Sequence, residues 1–165
     1  AECRFFSPLA GDGLPDCDAV WLPGGYPELH LDALAGNAIL RADLRAHQAV
    51  GRPLLAECGG MLYLAESLAD GHGREAEMAG LLPARAVMQA GLAGLGLQAV
   101  DLPEGRMRGH TFHHSRLETE LAPRVRAVDP NGGPGEAVYR LGRLTASYVH
   151  LYFPSNPEAC AGLFR

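Results

Sequence analysis

The segment Leu54-Leu55-Ala56-Glu57-Cys58-Gly59-Gly60-Met61-Leu62 reads as a strand, a sharp turn and the first turn of a helix, with a nucleophile-capable residue at the bend. A short continuous apolar run such as Leu54-Leu55-Ala56 suits a parallel strand buried on both faces. Ala56, Gly59 and Gly60 are the small residues that a strained strand-to-helix turn demands around its nucleophile. In that setting the Cys58 thiol is expected to be exposed. The positive end of the helix dipole, with its free backbone N–H groups, favours the thiolate. The same N–H groups, that of Gly59 among them, can hold a developing oxyanion. The competing reading of this segment alone is a buried structural cysteine beside a glycine-rich turn.

Upstream, Ala19-Val20-Trp21-Leu22 is a second apolar run, followed by Pro23-Gly24-Gly25-Tyr26-Pro27-Glu28. Between the two runs, residues 37–50 carry Leu40 and Leu44 one turn apart and stop at Gly51 and Pro53, which predicts a helix. The order strand, helix, strand is the crossover unit of a parallel sheet. The Gly24-Gly25 turn, a common feature after a strand, could then bring a second backbone N–H next to Cys58. Two such donors make an oxyanion hole, worth about 3 to 4 kcal/mol per donor in the transition state. After Cys58, the apolar residues Met61, Leu62, Leu64, Ala65, Leu68 and Ala69 predict a helix packed against the sheet.

From Ala79 onward the texture changes to short segments. Strands are expected near 85–89, 95–102, 108–114, 124–128 and 137–141, in an antiparallel or mixed arrangement, with a turn at Pro130-Asn131-Gly132-Gly133-Pro134-Gly135. Residues 145–153 alternate, with Val149, Leu151 and Phe153 on one face and Tyr148, His150 and Tyr152 on the other. A helix is expected from Asn156, with Pro157 in its first turn.

At 165 residues the chain is the size of one domain, with no linker and no internal repeat. Its composition, 47% hydrophobic and 20% charged, is that of a soluble globular protein. A net charge of -5 gives no reason to expect nucleic acid, and no apolar run is long enough to span a bilayer. All 14 basic residues are arginine. The lack of lysine excludes a Schiff-base lysine, a Ser-Lys dyad and the lysine of a phosphate-binding loop, so no kinase or ATPase site can be complete here. Cys3, Cys17, Cys58 and Cys160 have no close pairwise spacing and read as reduced thiols of a cytoplasmic protein. The three besides Cys58 are expected to be small buried apolar residues.

A cysteine nucleophile needs a base, and seven histidines are on offer. His150 is the best placed, because a strand end leading into a new helix is where an α/β sheet presents catalytic side chains. His110, His113 and His114 cluster without a cysteine or carboxylate at a familiar spacing, so no metal site is assigned. His30, His47 and His72 read as surface residues.

Together, Gly24-Gly25-Tyr26-Pro27-Glu28, Ala56-Glu57-Cys58-Gly59-Gly60-Met61-Leu62-Tyr63-Leu64, Arg108-Gly109-His110-Thr111-Phe112-His113-His114-Ser115 and Ser147-Tyr148-Val149-His150-Leu151-Tyr152-Phe153-Pro154-Ser155-Asn156-Pro157 resemble the glutaminase domain of cobyrinic acid a,c-diamide synthases. These belong to the class I glutamine amidotransferases. The resemblance implies a flavodoxin-like α/β domain with a mixed sheet, covering residues 1–165, and thioester chemistry on glutamine. Cys58 would be the nucleophile and His150 the proton shuttle. Gly25 and Gly59 would supply the oxyanion hole, and Gly24, Tyr26, Glu57, His113 and Tyr152 would be candidates for lying near the substrate.

The resemblance also implies an amino-terminal synthase domain that binds ATP and Mg and meets most of the corrin substrate, with no cofactor in the present domain. It allows a homo-oligomer. Cys3-Arg4-Phe5-Phe6-Ser7-Pro8 resembles the second strand of such domains, so the first strand and helix are expected to be missing. Where many class I members carry a glutamate two places after the histidine, Tyr152 stands here, which implies a Cys58-His150 dyad. Leu62 stands where other branches place a glutamine, and Thr111 where a glutamate is expected. Two other readings remain open: a catalytically silent module used for binding, and a cysteine hydrolase of the same fold. A close variant would serve hydrogenobyrinic acid, cobyric acid or a nickel tetrapyrrole instead.

Overall fold

Leu54, Leu55, Ala56 and Glu57 form β2 (Leu54–Glu57), buried along its whole length, and β1 (Val20–Leu22) runs parallel to it with Val20 opposite Leu54 and Leu22 opposite Ala56. The computed structural model describes all 165 residues. The crossover between these strands contains α1 (Leu31–Gly36) and α2 (Ala38–Ala49). Leu40 and Leu44 are fully buried on the inner face of α2, as their one-turn spacing requires. Asn37 caps that helix, its Oδ1 accepting the Leu40 N–H at 3.0 Å, while its amide group donates to the carbonyls of Pro8 and Asp12.

A third parallel strand, β11 (Leu144–Ser147), lies on the other side of β2. Beyond it the sheet turns antiparallel through β10 (Pro134–Leu141), β9 (Val125–Val128), β6 (Gly94–Leu102), β7 (Gly105–His113) and β12 (His150–Leu151), giving one eight-stranded mixed sheet. A second sheet holds β4 (Glu75–Glu77), β3 (Ala65–Ala69), β5 (Leu82–Met88) and β8 (Ser115–Glu118), in that order. Alternation along β2 feeds two cores. Leu54 and Ala56 enter a cluster with Leu40, Leu44, Met61 and Leu82, whereas Leu55 enters a smaller one with Val100, Met107, Val138 and Val149. The chain closes with α4 (Pro157–Leu163), capped by Asn156 and started by Pro157 as expected.

Four expectations are corrected. The helix after Cys58, α3 (Gly59–Leu64), lasts six residues, and Ala65–Ala69 is the strand β3. An apolar run of that texture serves either state, and pairing decides: β3 is bonded to β5 on one side and β4 on the other. The Asp70-Gly71-His72-Gly73 turn between β3 and β4 was the available signal, with Asp70 Oδ1 accepting the N–H groups of His72 and Arg74. The alternating segment 145–153 is two strands. β11 stays with β2, then Tyr148 and Val149 carry the chain to β12, where His150 pairs with His110 on β7. Residues 3–7 pair with no strand, and Phe5 is 97% exposed. His47 is buried, its Nε2 lying 2.9 Å from the Pro53 carbonyl, to which it donates. That bond, not solvent, satisfies the ring.

The fold predicts that Leu44→Ala, at a site with no exposure, lowers stability by about 2 to 5 kcal/mol in chemical denaturation.

Candidate active site

The bend after β2 carries a backbone conformation that no other non-glycine residue of the chain adopts. Cys58 has φ +47° and ψ -111°, and it is the one non-glycine residue with positive φ. Such a conformation costs on the order of 1 to 3 kcal/mol and persists only when its surroundings over-determine it. Here the Cys58 N–H donates to the Ser147 carbonyl on β11 at 2.8 Å, and the Cys58 carbonyl accepts the Leu62 N–H at 3.0 Å. The strand before the bend, the strand beside it and the helix after it all fix the same residue.

Two glycines explain how the neighbouring turn reaches this bend. A Cβ on Gly59 would stand 2.5 Å from the Gly25 carbonyl oxygen and 2.6 Å from its nitrogen, so only glycine lets the two turns touch. On the other side, a Cβ on Gly24 would run into the imidazole of His150, coming within 3.2 Å of both ring nitrogens. Gly24-Gly25 therefore lies between the Cys58 bend and the His150 ring. The Gly25 N–H makes no hydrogen bond within the protein, and the Gly59 N–H is directed at the Cys58 sulfur. Both expected donors thus border the Cys58 bend.

The structure does not place His150 in contact with the thiol. Cys58 Sγ points at the Phe112 carbonyl on β7, 3.8 Å away, a weak bond that does not extend to the imidazole. The thiol is also neither exposed nor predisposed to ionise, contrary to the sequence reading. Cys58 is 8% exposed, and burial pushes its pKa up to about 11, against the opposing pull of the Gly59 N–H and with help from the carboxylates of Glu28, Glu57 and Glu136. A six-residue helix offers too little to offset that desolvation. The other cysteines depart from expectation in the opposite sense: Cys3 is exposed, and Cys17 and Cys160 are half-buried.

His150 is half-buried, with its ring stacked on that of His110 at 4.9 Å between centroids and 15° between planes. Burial first, and the charges of His110 and His113 second, lower its pKa, which keeps the ring neutral and able to accept a proton at neutral pH. Tyr152 and Tyr26 stand exposed at the surface near these two turns, at 59% and 64%. Glu57 faces inward, its oxygens accepting the Trp21 indole N–H at 3.0 Å and the Leu151 N–H at 2.8 Å. Sequence reasoning placed it near substrate; its side chain is committed to the ends of the strands.

His113 lies in a network behind Phe112. Its Nδ1 is 2.8 Å from the Ser115 carbonyl, its Nε2 is 3.0 Å from Glu136 Oε1, and its ring stacks on Tyr148 at 3.6 Å. Thr111 donates to the same Glu136 oxygen at 3.1 Å. Burial acts to raise the Glu136 pKa, but the His113 and Thr111 bonds and Arg126 outweigh it and bring it below the usual range. Glu136 thus stands beside Thr111, from a strand with no local motif to reveal it. His110 and Glu136 are the site residues the sequence reading did not single out.

Residues 1–158 match the family of CobB/CobQ-like glutamine amidotransferase domains. The chain is 59% identical over 164 residues to a hydrogenobyrinate a,c-diamide synthase of Pseudomonas aeruginosa, covering 99% of this chain and 38% of that protein. It is 46% identical over 166 residues to a cobyrinate a,c-diamide synthase of Herminiimonas arsenicoxydans, again with 99% and 38% covered. The chain therefore spans well under half the length of these relatives. Among solved structures, a glutamine amidotransferase superposes with a TM-score of 0.57 at 18% identity, covering 88% of this chain and 77% of the other. Another, from Thermotoga maritima, gives 0.56 at 17% identity, with 89% and 63% covered. These two likenesses bear on the fold.

The raised thiol pKa has a direct readout. At pH 7.5 iodoacetamide is expected to label Cys3 well before Cys58, and the Cys58 rate should climb about tenfold per pH unit until it nears pH 11. Peptide mapping along a pH series measures both; a Cys58 rate already level at pH 8 contradicts the burial argument.

Proposed function

This chain belongs to the CobB/CobQ-like glutamine amidotransferase family, and on that premise we propose that it hydrolyses glutamine to glutamate and ammonia through a thioester on Cys58. The observation that carries the reading is the backbone of Cys58, held at φ +47° at the end of a buried parallel strand with a neutral histidine one glycine turn away. Such strain is maintained where a side chain must be presented to a ligand.

The chemistry begins with rotation of Sγ from the Phe112 carbonyl toward His150. The imidazole takes the thiol proton as sulfur adds to the side-chain amide carbon of glutamine. The N–H groups of Gly25 and Gly59 receive the negative charge on the amide oxygen. His150 returns the proton to nitrogen, the carbon–nitrogen bond breaks, and ammonia leaves a γ-glutamyl thioester. Water then adds to the thioester, giving its proton to the same imidazole, and collapse expels the sulfur as a thiol and releases glutamate. A protonated resting thiol suits this sequence, because the proton taken from sulfur is the one that nitrogen needs in order to leave. Tyr26, next along the chain to the Gly24-Gly25 turn, and Tyr152, just after His150, are exposed, and Gly24 gives the ring its room.

The relatives' names and their extra length support a wider proposal. The ammonia is passed to a synthase portion that uses ATP and Mg to activate the a and c carboxylates of a corrin, hydrogenobyrinate or cobyrinate. No helix of this chain is long and apolar enough to cross a membrane, and a cytoplasmic setting with reduced cysteines fits the reading.

Treatment with a diazo-ketone analogue of glutamine is expected to label Cys58 alone and to be blocked by glutamine. Cys58→Ser should lose glutamine-dependent amidation by a factor of at least about 10³ while keeping amidation driven by added ammonium salts in the whole synthase; loss of both activities sinks the division of labour. Tyr152→Phe should leave glutamine turnover close to the parent value, since it removes no carboxylate, and a collapse there makes the hydroxyl part of the machinery.

A further inference from the structure

Glu57 is the residue immediately before the nucleophile, and it is 3% exposed. Both carboxylate oxygens are used, and both by N–H donors: Oε2 by the Trp21 indole on β1 at 3.0 Å, Oε1 by the Leu151 backbone on β12 at 2.8 Å. In the sheet order, β11, β10, β9, β6 and β7 separate β2 from β12, so no ladder bond joins the strand of Cys58 to the strand of His150. β12 itself is paired over only two residues, with β7. The carboxylate therefore reaches from the residue before Cys58 to the residue after His150, across the mouth of the curled sheet.

We infer that Glu57 is a positioning residue that ties the His150 strand to the Cys58 bend, so that the imidazole stays within reach once Sγ turns away from Phe112; this rests on the glutaminase reading above. Two features set it apart from a packing residue. Its charge is carried in a desolvated place, where burial raises its pKa against the pull of Leu151 and Trp21, so an apolar side chain would fill the space more cheaply. It also acts against the nucleophile, because its charge joins those of Glu28 and Glu136 in holding the Cys58 thiol protonated. What the carboxylate supplies against both effects is geometry. The geometry is specific: two converging N–H donors call for two acceptor oxygens on one rigid plane. Glutamine offers one acceptor and turns its NH2 against the second donor, while aspartate is a methylene too short to reach both strands.

The test compares the parent protein, Glu57→Gln, Trp21→Phe and the double variant, in the intact protein. It reads kcat and KM for glutamine, the pH profile of turnover, and the rate of Cys58 alkylation by iodoacetamide. The groups that face the thiol in this comparison are Glu28, Glu136, Tyr148 and the Gly59 N–H, and those that face His150 are His110 and His113, none of them altered. Glu57→Gln is expected to lower kcat by about tenfold or more with KM changed by less than about threefold, as misplacement of a catalytic group does. Alkylation of Cys58 should become faster in the same variant, since a neighbouring negative charge is gone. A merely loosened fold does not separate these readings in that way. In the Trp21→Phe background the loss from Glu57→Gln should shrink, because the amide oxygen is then free to serve Leu151 alone. Should Glu57→Gln fail to fold, Glu57→Asp, a methylene too short to reach both strands, decides instead: a fall in kcat at unchanged KM supports the inference, and parent-like turnover overturns it. Parent-like kcat in a folded Glu57→Gln, or a loss that is the same in both backgrounds, overturns it as well. A parent protein that turns over no glutamine overturns the glutaminase reading and this inference with it, whereas an active parent with an unimpaired Glu57→Gln overturns this inference alone.

Discussion

β2 is flanked on both sides by strands running in its own direction, and everything chemical in the molecule is built on where those three strands stop. β1 ends at Leu22 and hands the chain to the Gly24-Gly25 turn, β2 ends at Glu57 before the Cys58 bend, and β11 ends at Ser147, whose carbonyl accepts the Cys58 N–H. The registers are unbroken, from Leu54 to Ala56 against β1 and from Leu54 to Glu57 against β11, so the three strands end within one residue of the same level. Loops that leave such an edge together converge without further instruction from the sequence. The antiparallel half then folds back, and β7 brings the Phe112 carbonyl over the sulfur.

The site is electrostatically crowded in a way that favours proton exchange over permanent charge. Three carboxylates surround a buried thiol, and two histidines surround a third that is itself half-buried. The acid is made weaker and the base is kept neutral. A resting pair of that kind carries no buried ion, which is the cheaper arrangement in a low-dielectric pocket. Ionisation is deferred until a ligand makes it useful.

The parallel half was legible because its signals are local. Two short apolar runs, each ending in a glycine turn, are strands within one residue of their expected limits, and the Leu40 and Leu44 spacing marks a helix whose ends match within one residue. Asn156 and Pro157 announce the last helix in the same way. What escaped was decided by partners far along the chain. Ala65 to Ala69 is a strand because β5 and β4 are there to pair with it, and the alternation from Thr145 to Phe153 hides a change of partner at Tyr148 and Val149. His47 looks like a surface residue until the Pro53 carbonyl is seen against its ring. For the candidate site, the neighbours of Cys58 and His150 single these two residues out, and the structure puts the Gly24-Gly25 turn between them. The depth of the thiol, its orientation toward Phe112 and the arrival of Glu136 beside Thr111 are matters of distance, and no spacing in the sequence encodes them.

The strained backbone at position 58 also bears on how such a domain ages in evolution. A cysteine at φ +47° is a standing expense that the fold meets through Ser147 and Leu62. Glycine at that position would cost nothing in backbone strain, so a descendant that no longer needs the thiol can lose it and grow more stable in the same step. Copies released from chemistry should therefore drift first at this residue, with the sheet and its glycine turns left intact.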